Sequence, residues 1–410
     1  MKSELLTILN ERGFIHQGTD LEALDARLTE GPLTAYIGFD ATASSFHVGS
    51  LVQIMVLYWL QKTGNRPLVI LGGATTKIGD PTGKDEIRKL LDDEEIDGNI
   101  KSLARAFERA VTFGKGPQDA ILLNNAAWMD TINYLSFLRD VGPCFSVNRM
   151  LKLDSVRLRL ERDQPLTFLE FNYMIIQAYD FLELYKTYDC LLQIGGADQW
   201  GNIINGVELV RRATRNTVFG LTTPLITTAS GAKMGKTAQG AVWLNADRLS
   251  PYDYWQFWRN TEDQDVGRFL RLFTTLPLDE IKRLEGLQGA EINEAKGVLA
   301  DEATAFIHGA DAVKEARATA QSLFGAGAGA TDALPTIALP SEGLSILDAF
   351  CQLGLTASKG EARRLIEAGG ARLNDIPIQD PLLTLTSASF EDHPTVKLSA
   401  GKKRHGIVKQ

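Results

Sequence analysis

Through the first 220 residues, short apolar runs alternate with helical patterns. Residues 34–39 (TAYIGF) and 68–71 (LVIL) read as buried strands, and 48–62 between them, apolar almost all round, reads as a buried helix. A strand, a helix and a strand within about 40 residues make a βαβ unit, which predicts a parallel sheet. Residues 120–123 (AILL) and 191–194 (LLQI) predict further strands of that sheet. Each is followed by a polar or glycine-rich loop, at the strand ends where open α/β sheets take their ligands. After about Gly220 the texture turns helical. Ser250, Pro251 and Asp253 supply an N-cap, a first-turn proline and an acid returning to the cap. Helical periodicity then runs through 264–273, 278–284, 292–307 and 312–324. The GAGAGA run at 325–330, with Pro335 and Pro340 beyond it, predicts a linker over 325–343. The expected organisation is an α/β domain over 1–222, a separate α-helical domain over 223–324, the linker, and a small last unit over 344–410.

Composition narrows the class. The chain has 410 residues, 44% hydrophobic and 23% charged, ordinary for a globular protein of two or three domains. The longest apolar stretch, 54–60, is too short to cross a bilayer. Residues 1–13 lack the basic cap and apolar run of a signal peptide. Cys144, Cys190 and Cys351 are far apart, odd in number and without metal-ligand spacing, which fits a reducing compartment. A cytoplasmic protein without a membrane partner or a structural metal is therefore expected. A net charge of −8 argues against a general nucleic-acid coat. Yet 344–410 holds nine basic and seven acidic residues, and Lys397, Lys402, Lys403, Arg404 and Lys409 crowd its last fifteen positions without an acid. That tail is either a solvated surface or a contact for RNA.

Five stretches carry candidate chemistry. In YIGFDATASSFHVGS (36–50) a strand gives way to small residues and then a helix start beside His47. Small side chains admit a ligand to the backbone, and a helix N-terminus favours phosphate; an ordinary strand-to-helix turn with a surface histidine has the same pattern. GGATTKIGDPTGK (72–84) sets glycines, threonines and lysines at a strand end, which suits a polyphosphate, although no P-loop consensus is met. There, Asp80 is a turn residue or a carboxylate for an ammonium group. Tyr173, Gln177 and Asp180 are spaced four and then three apart, so one helical face carries a phenol, an amide and a carboxylate. That stripe suits either a pocket for a small polar molecule or a helix surface. QIGGADQWGN (193–202) places Asp198 after two glycines, where it can meet a ribose hydroxyl pair. SGAKMGKT (230–237) is a glycine-rich loop with two lysines, either a plain basic loop or a cationic arm that stabilises charge as it builds.

Together these stretches resemble the class I aminoacyl-tRNA synthetases, and among them the bacterial-type tyrosyl family, over essentially the whole chain. His47-Val-Gly-Ser50 resembles the HIGH motif, with Ser50 in place of its second histidine, and Lys233-Met-Gly-Lys-Thr237 resembles the KMSKS loop. Ser358-Lys-Gly-Glu-Ala-Arg-Arg-Leu-Ile and the following GGARLND (369–375) resemble an S-four-type RNA-binding domain, with Lys359, Arg363 and Arg364 on one helical side. The resemblance implies a Rossmann-like catalytic domain with an insertion near 113–160, a helical domain carrying the lysine loop and binding tRNA, and a homodimer. It implies two reactions: L-tyrosine and ATP, carried with Mg²⁺, give tyrosyl-adenylate and pyrophosphate, and the terminal ribose of tRNA(Tyr) then takes the tyrosine. By the same resemblance Tyr36 and Asp180 hold the substrate phenol, and Tyr173, Gln177 and Asp80 hold its ammonium group. Asp40 and Gln199 match further positions of the tyrosine or adenylate pocket. Asp198, near Gly195 and Gly196, meets the ribose. Gly38 and Gly49 offer bare backbone, and Ser50 keeps a hydroxyl for the nucleotide. Thr42, His47, Lys84, Arg88, Lys233, Lys236 and Thr237 face the phosphates. No covalent nucleophile is implied, so positioning and charge stabilisation carry the chemistry. Enzymes of this family are themselves the standard case of rejecting phenylalanine by about 10⁵-fold without editing. A tryptophanyl-tRNA synthetase and a non-catalytic RNA-binding relative share the same architecture.

Overall fold

The computed structural model describes residues 1–82, 91–229, 231, 234–237, 240–324, 335–340, 343–374, 376–390, 395–401 and 404–409. The chain divides into two compact units, Met1–Val313 and Lys314–Gln410. The first opens with helix α1 (Glu4–Arg12), strand β1 (Gln17–Gly18) and helix α2 (Leu21–Glu30). Strand β2 (Thr34–Asp40), helix α3 (Leu51–Lys62) and strand β3 (Arg66–Gly72) form the βαβ unit that the apolar pattern predicts. Helices α4 (Gly73–Ile78) and α5 (Asp93–Ala104) lead to strand β4 (Ile121–Asn124). Short helices follow: α6 (Ala126–Met129), α7 (Tyr134–Asp140), α8 (Val147–Met150) and α9 (Asp154–Glu161). The long α10 (Phe168–Tyr188) then leads into strand β5 (Cys190–Gly196), helix α11 (Trp200–Thr214) and strand β6 (Phe219–Thr223).

The strands form one sheet in the order β1-β6-β5-β2-β3-β4, parallel except for β1. From β2 the chain winds outward through β3 to β4, then returns to lay β5 on the other side of β2. The winding direction reverses there, and the crevice at the carboxyl ends of β2 and β5 is the place where such sheets bind ligands. Both faces are covered. Leu51, Val52, Ile54, Met55, Val56, Leu57 and Leu60 of α3 are buried, and Ala178, Phe181 and Leu182 of α10 pack with Tyr36, Leu68 and Ile70. Helix α10 starts on a capping box in which Thr167 and Glu170 satisfy each other's backbone donors. Glu170 also pairs with Arg159 at 3.1 Å, each side chain only 3% exposed.

Strands β7 (Lys236–Thr237) and β8 (Gly240–Ala241) form a short hairpin. Helices α12 (Pro251–Arg259), α13 (Val266–Phe273), α14 (Leu278–Glu285) and α15 (Ile292–His308) follow, and α16 (Ala310–Phe324) spans the boundary between the units. The cap read from Ser250 is present, its hydroxyl accepting from the Asp253 amide at 3.1 Å and donating to the Asp253 carboxylate at 2.7 Å. Residues 223–313 share the first unit with the sheet, where the sequence reading expects a separate domain. Arg12 supplies a physical reason. Its buried guanidinium donates to the carbonyls of Arg271, Thr274 and Leu276 at 3.2, 3.0 and 2.6 Å, so α1 caps the carboxyl end of α13. The same group lies 4.3 Å from the centre of the Trp59 ring on α3.

In the second unit, strands β9 (Thr336–Ala338) and β10 (Leu344–Ser345), helices α17 (Ile346–Gln352) and α18 (Lys359–Glu367), and strands β11 (Ala371–Leu373), β12 (Ile376–Pro377), β13 (Thr384–Leu385), β14 (Thr395–Ala400) and β15 (Arg404–Lys409) surround a core that includes Ile346, Phe350, Val396 and Leu398. Strand β9 pairs parallel with β15, Ile337 opposite Val408. It lies inside the span expected as linker, where at a sheet edge prolines bracket a strand without costing it a ladder bond. On α18, Ala362 and Ile366 face inward while Lys359, Arg363 and Arg364 are exposed, and Lys359 pairs with Asp348 at 2.6 Å. Among the described residues, no helix is long and apolar enough to cross a membrane, and no group of three His, Cys, Asp or Glu could hold a metal ion.

Candidate active site

Alternation along β2 places Tyr36, Gly38 and Asp40 on one face. Gly38 is exposed within an otherwise buried run, and a Cβ there would touch nothing nearer than Ile70 Cβ at 4.0 Å. The centre of the sheet therefore presents bare backbone to open space. Helix α10 runs alongside and presents the stripe of Tyr173, Gln177 and Asp180. Tyr173 Oη donates to Asp40 Oδ2 at 3.0 Å, and Thr75 Oγ1 donates to Asp40 Oδ1 at 2.7 Å. Strand, helix and the start of α4 are thus tied at one carboxylate.

Deeper in, Tyr36 is 2% exposed, and its hydroxyl is buried without a hydrogen-bond partner. Its ring packs edge-on to Phe181 at 5.3 Å between centroids. Beside it Asp180, 3% exposed, accepts from Asn125 Nδ2 at 2.9 Å and from Trp128 Nε1 at 2.8 Å. Burial pushes the Asp180 carboxyl up to about 7; the two donors pull it down and the charge of Asp40 pushes it further up. Burial, and then the charge of Asp180, hold the Tyr36 phenol well above its ordinary range. A buried phenol without a partner beside a carboxylate leaves hydrogen-bonding capacity that one more hydroxyl can satisfy. Asn125 and Trp128 escape the sequence reading. The available signal is an amide just past the end of a predicted strand, with an indole donor three residues on.

In the loop after β3, Asp80 accepts from Gln199 Nε2 at 2.7 Å and from the Thr82 amide at 2.9 Å. Asn202 donates to Gln199 Oε1 at 3.0 Å. Gln177 Oε1 and Gln193 Oε1 are buried without a partner. The loop after β3 and the segment after β5 are therefore joined through a carboxylate and two amides. Gly196 closes β5, and Asp198, exposed just beyond it, lines a cleft of about 460 Å³ together with Thr82, Lys152, Arg162 and Trp200.

The histidine motif and the lysine loop, far apart in sequence, meet. His47 Nδ1 accepts from the Gly49 amide at 3.0 Å, which in the neutral ring leaves the proton on Nε2 as a donor. The Val48 amide donates to the Val242 carbonyl at 2.8 Å, and the Val242 amide to the Gly235 carbonyl at 2.9 Å. Gly235 holds φ +83°, and a Cβ there would stand 2.9 Å from Val48 Cγ1. The missing serine of the lysine loop thus has a local cause: left-handed backbone pressed against the histidine motif. Thr42 is exposed, and Ser50 heads α3 with no capping bond from its side chain. Lys236 and Thr237 form β7, and Lys84, Arg88 and Lys233 lie outside the described residues.

A parallel sheet with its crevice at the point of reversal, a histidine motif at a helix start and a lysine loop against it define a class I tRNA synthetase. The family model for class I tRNA synthetases (W and Y) matches residues 28–325. The tyrosine–tRNA ligase of Rhodospirillum rubrum is 60% identical over 100% of this chain and 98% of its own length. That of Bradyrhizobium diazoefficiens is 56% identical over 100% and 99%. The crystal structure of a C-terminally truncated Aspergillus nidulans mitochondrial tyrosyl-tRNA synthetase has a TM-score of 0.72 at 32% identity, covering 79% of this chain and 95% of that one. The chain belongs to the tyrosine–tRNA ligase family of class I aminoacyl-tRNA synthetases.

Proposed function

We propose that the chain joins L-tyrosine to tRNA(Tyr) in two steps, and that the buried pair of Tyr36 and Asp180 selects the amino acid. The observation that carries this is the unpartnered Tyr36 hydroxyl beside a carboxylate held by Asn125 and Trp128. The substrate phenol donates to Asp180 and accepts from Tyr36, which satisfies both groups at once. Its ammonium group meets Tyr173 Oη, Gln177 Oε1 and Asp80 at the other end of the stripe, near Asp40 and Gln199. The carboxylate is then free to attack the α-phosphate of ATP lying over Gly38, with Gly49 and Ser50 at one side and Asp198, beside Gly196, on the ribose. The new C–O–P bond forms as the bond to pyrophosphate breaks.

Thr42, Lys84, Arg88, Lys233, Lys236 and Thr237, with the Nε2–H of His47, supply donors to the phosphates as negative charge moves to the leaving group. Mg²⁺ arrives with ATP as part of the substrate. In the second step the terminal ribose hydroxyl of the RNA attacks the adenylate carbonyl and AMP leaves. Lys152, Arg162 and Trp200 of the cleft beside Asp198 provide charge and an aromatic face for the RNA end. The exposed Lys359, Arg363 and Arg364 give the second unit, read as an S-four-type domain, a basic side for the RNA backbone. Tyr134, Leu135 and Phe168 are 60%, 74% and 72% exposed, which supports burial of this stretch against a second copy in a homodimer. The enzyme works in the cytoplasm, where its RNA partner is.

The test is ATP–pyrophosphate exchange with tyrosine, phenylalanine and tryptophan offered separately. Exchange with tyrosine alone is expected. Exchange with tryptophan would overturn the pocket assignment, and none with any of the three would leave an RNA-binding protein.

A further inference from the structure

Asp265 stands at the N-cap of α13 yet makes no capping bond to its own helix. It is 3% exposed, and its two carboxylate oxygens are both committed elsewhere. Oδ2 accepts from the Ala229 amide at 2.7 Å, and Oδ1 accepts from Arg268 Nη2 at 2.8 Å. The same Arg268 nitrogen donates to the carbonyl of Thr227. Residues 227–229 are the stem that enters the lysine loop. The stem is closed from the other side by the Met234 amide on the Ile226 carbonyl at 3.0 Å, and Met234 is buried. A carboxylate that forgoes its own helix cap, remains buried, and grips a loop stem through a backbone amide and a shared arginine has a fixed geometric task.

We infer that Asp265 and Arg268 are positioning residues for adenylate formation, holding the entry stem of the lysine loop at a set distance from His47. The frame is continuous. Helix α13 is tied by Arg12 to α1 and to Trp59 on α3, and the His47 motif heads α3. The stem, the lysine loop's far side at Gly235 and the histidine motif are therefore referred to one rigid body. Charge-assisted bonds such as those of Asp265 are about twice as strong as neutral ones. A misplacement of about 1 Å in a group that acts on the transition state can cost on the order of 100-fold. Tyrosine binding, built on β2, α4, α6 and α10, does not pass through this clamp. The inference rests on the proposed role of Lys233 at the phosphates.

The experiment is a double-mutant cycle on the full-length chain, with pyrophosphate exchange and tyrosine affinity read in parallel. Asp265→Ala is expected to slow exchange at saturating substrates by 10- to 100-fold and to leave the tyrosine dissociation constant within twofold. In a Lys233→Ala background the same change should alter the rate by less than twofold, because the group it positions is gone. Arg268→Ala, which leaves the bond from Asp265 to Ala229, should show a smaller loss of the same kind and serves if Asp265→Ala does not fold. Multiplying effects of Asp265→Ala and Lys233→Ala would overturn the clamp while sparing the role of Lys233. Tyrosine affinity falling in step with the rate would overturn it as well. Lys233→Ala exchanging at the parental rate would instead bring down the assignment of the lysine.

Discussion

Tyr36→Phe tests the amino-acid pocket most directly, because it deletes one atom and the structure sets its effects in opposite directions. In the free protein that oxygen is buried without a partner. An unsatisfied buried polar group costs about 1–3 kcal/mol. Removing it leaves the ring and its edge contact with Phe181 in place and should make the free protein more stable by an amount of that order. With tyrosine bound, the lost bond is one between two neutral hydroxyls, of about 0.5–1.5 kcal/mol net. That converts to roughly 2- to 13-fold in kcat/KM for tyrosine. Phenylalanine brings no hydroxyl and loses nothing, so the ratio of tyrosine to phenylalanine should fall by at least the same factor. The assay pairs a thermal unfolding midpoint with exchange kinetics for both amino acids. A lower midpoint, or an unchanged ratio, would refute the reasoning. The first would mean that the hydroxyl has a partner in solution, the second that the substrate phenol does not reach it.

Other perturbations follow from the same geometry. The Asp180 carboxyl, held near 7, accepts the substrate phenol best when ionised. KM for tyrosine should therefore rise as pH falls below about 7, and Asn125→Ala, which removes a donor that pulls this value down, should move the rise to higher pH; a flat profile between pH 6 and 8 would contradict this. Glu170→Ala strands the buried Arg159 and removes a helix cap, so a loss of about 3–5 kcal/mol is expected in urea unfolding. Gly235→Ala forces a side chain into left-handed backbone against Val48, a strain of about 1–2 kcal/mol, and should slow exchange without changing tyrosine affinity in equilibrium dialysis. Replacing Arg363 and Arg364 with Ala should flatten the slope of log affinity for tRNA against log salt by about 1 for each phosphate no longer neutralised.

The strands and the polar stripe were legible because each is a local pattern. The run 34–39 is apolar, and spacings of four and three keep Tyr173, Gln177 and Asp180 on one face whatever surrounds them. The cap at Ser250 was legible for the same reason. Asn125 and Trp128 were not, since their importance lies in facing Asp180 across 55 and 52 residues of sequence, and nothing in a short helix announces which carboxylate its donors will meet. Asp265 was hidden differently: its position before a helix suggests a cap, and only the fold shows its carboxylate bonded to the Ala229 amide of another loop's stem and not to its own helix. Helical texture after Gly220 reports secondary structure, whereas the grouping of 223–313 with the sheet in one compact unit depends on contacts such as those of Arg12, which no local pattern shows. Strand β9 was missed because prolines and glycines read as linker even where an edge strand tolerates them.

The register of β2 against β5, with Tyr36 opposite Gln193, has a consequence for how the molecule is made. The walls of the crevice leave the ribosome far apart in time. At about 5–20 residues per second, roughly 8–30 s separate the synthesis of Asp40 from that of Gly196. During that interval β2 and β3 have emerged with Tyr36, Leu68 and Ile70 on a face that later elements cover, α10 and Val141 among them. Parallel pairing across so long a span forms slowly, so the nascent half-sheet spends that time as an uncovered apolar surface. A chain stopped short of α10 has every residue of the His47 motif and none of the stripe of Tyr173, Gln177 and Asp180.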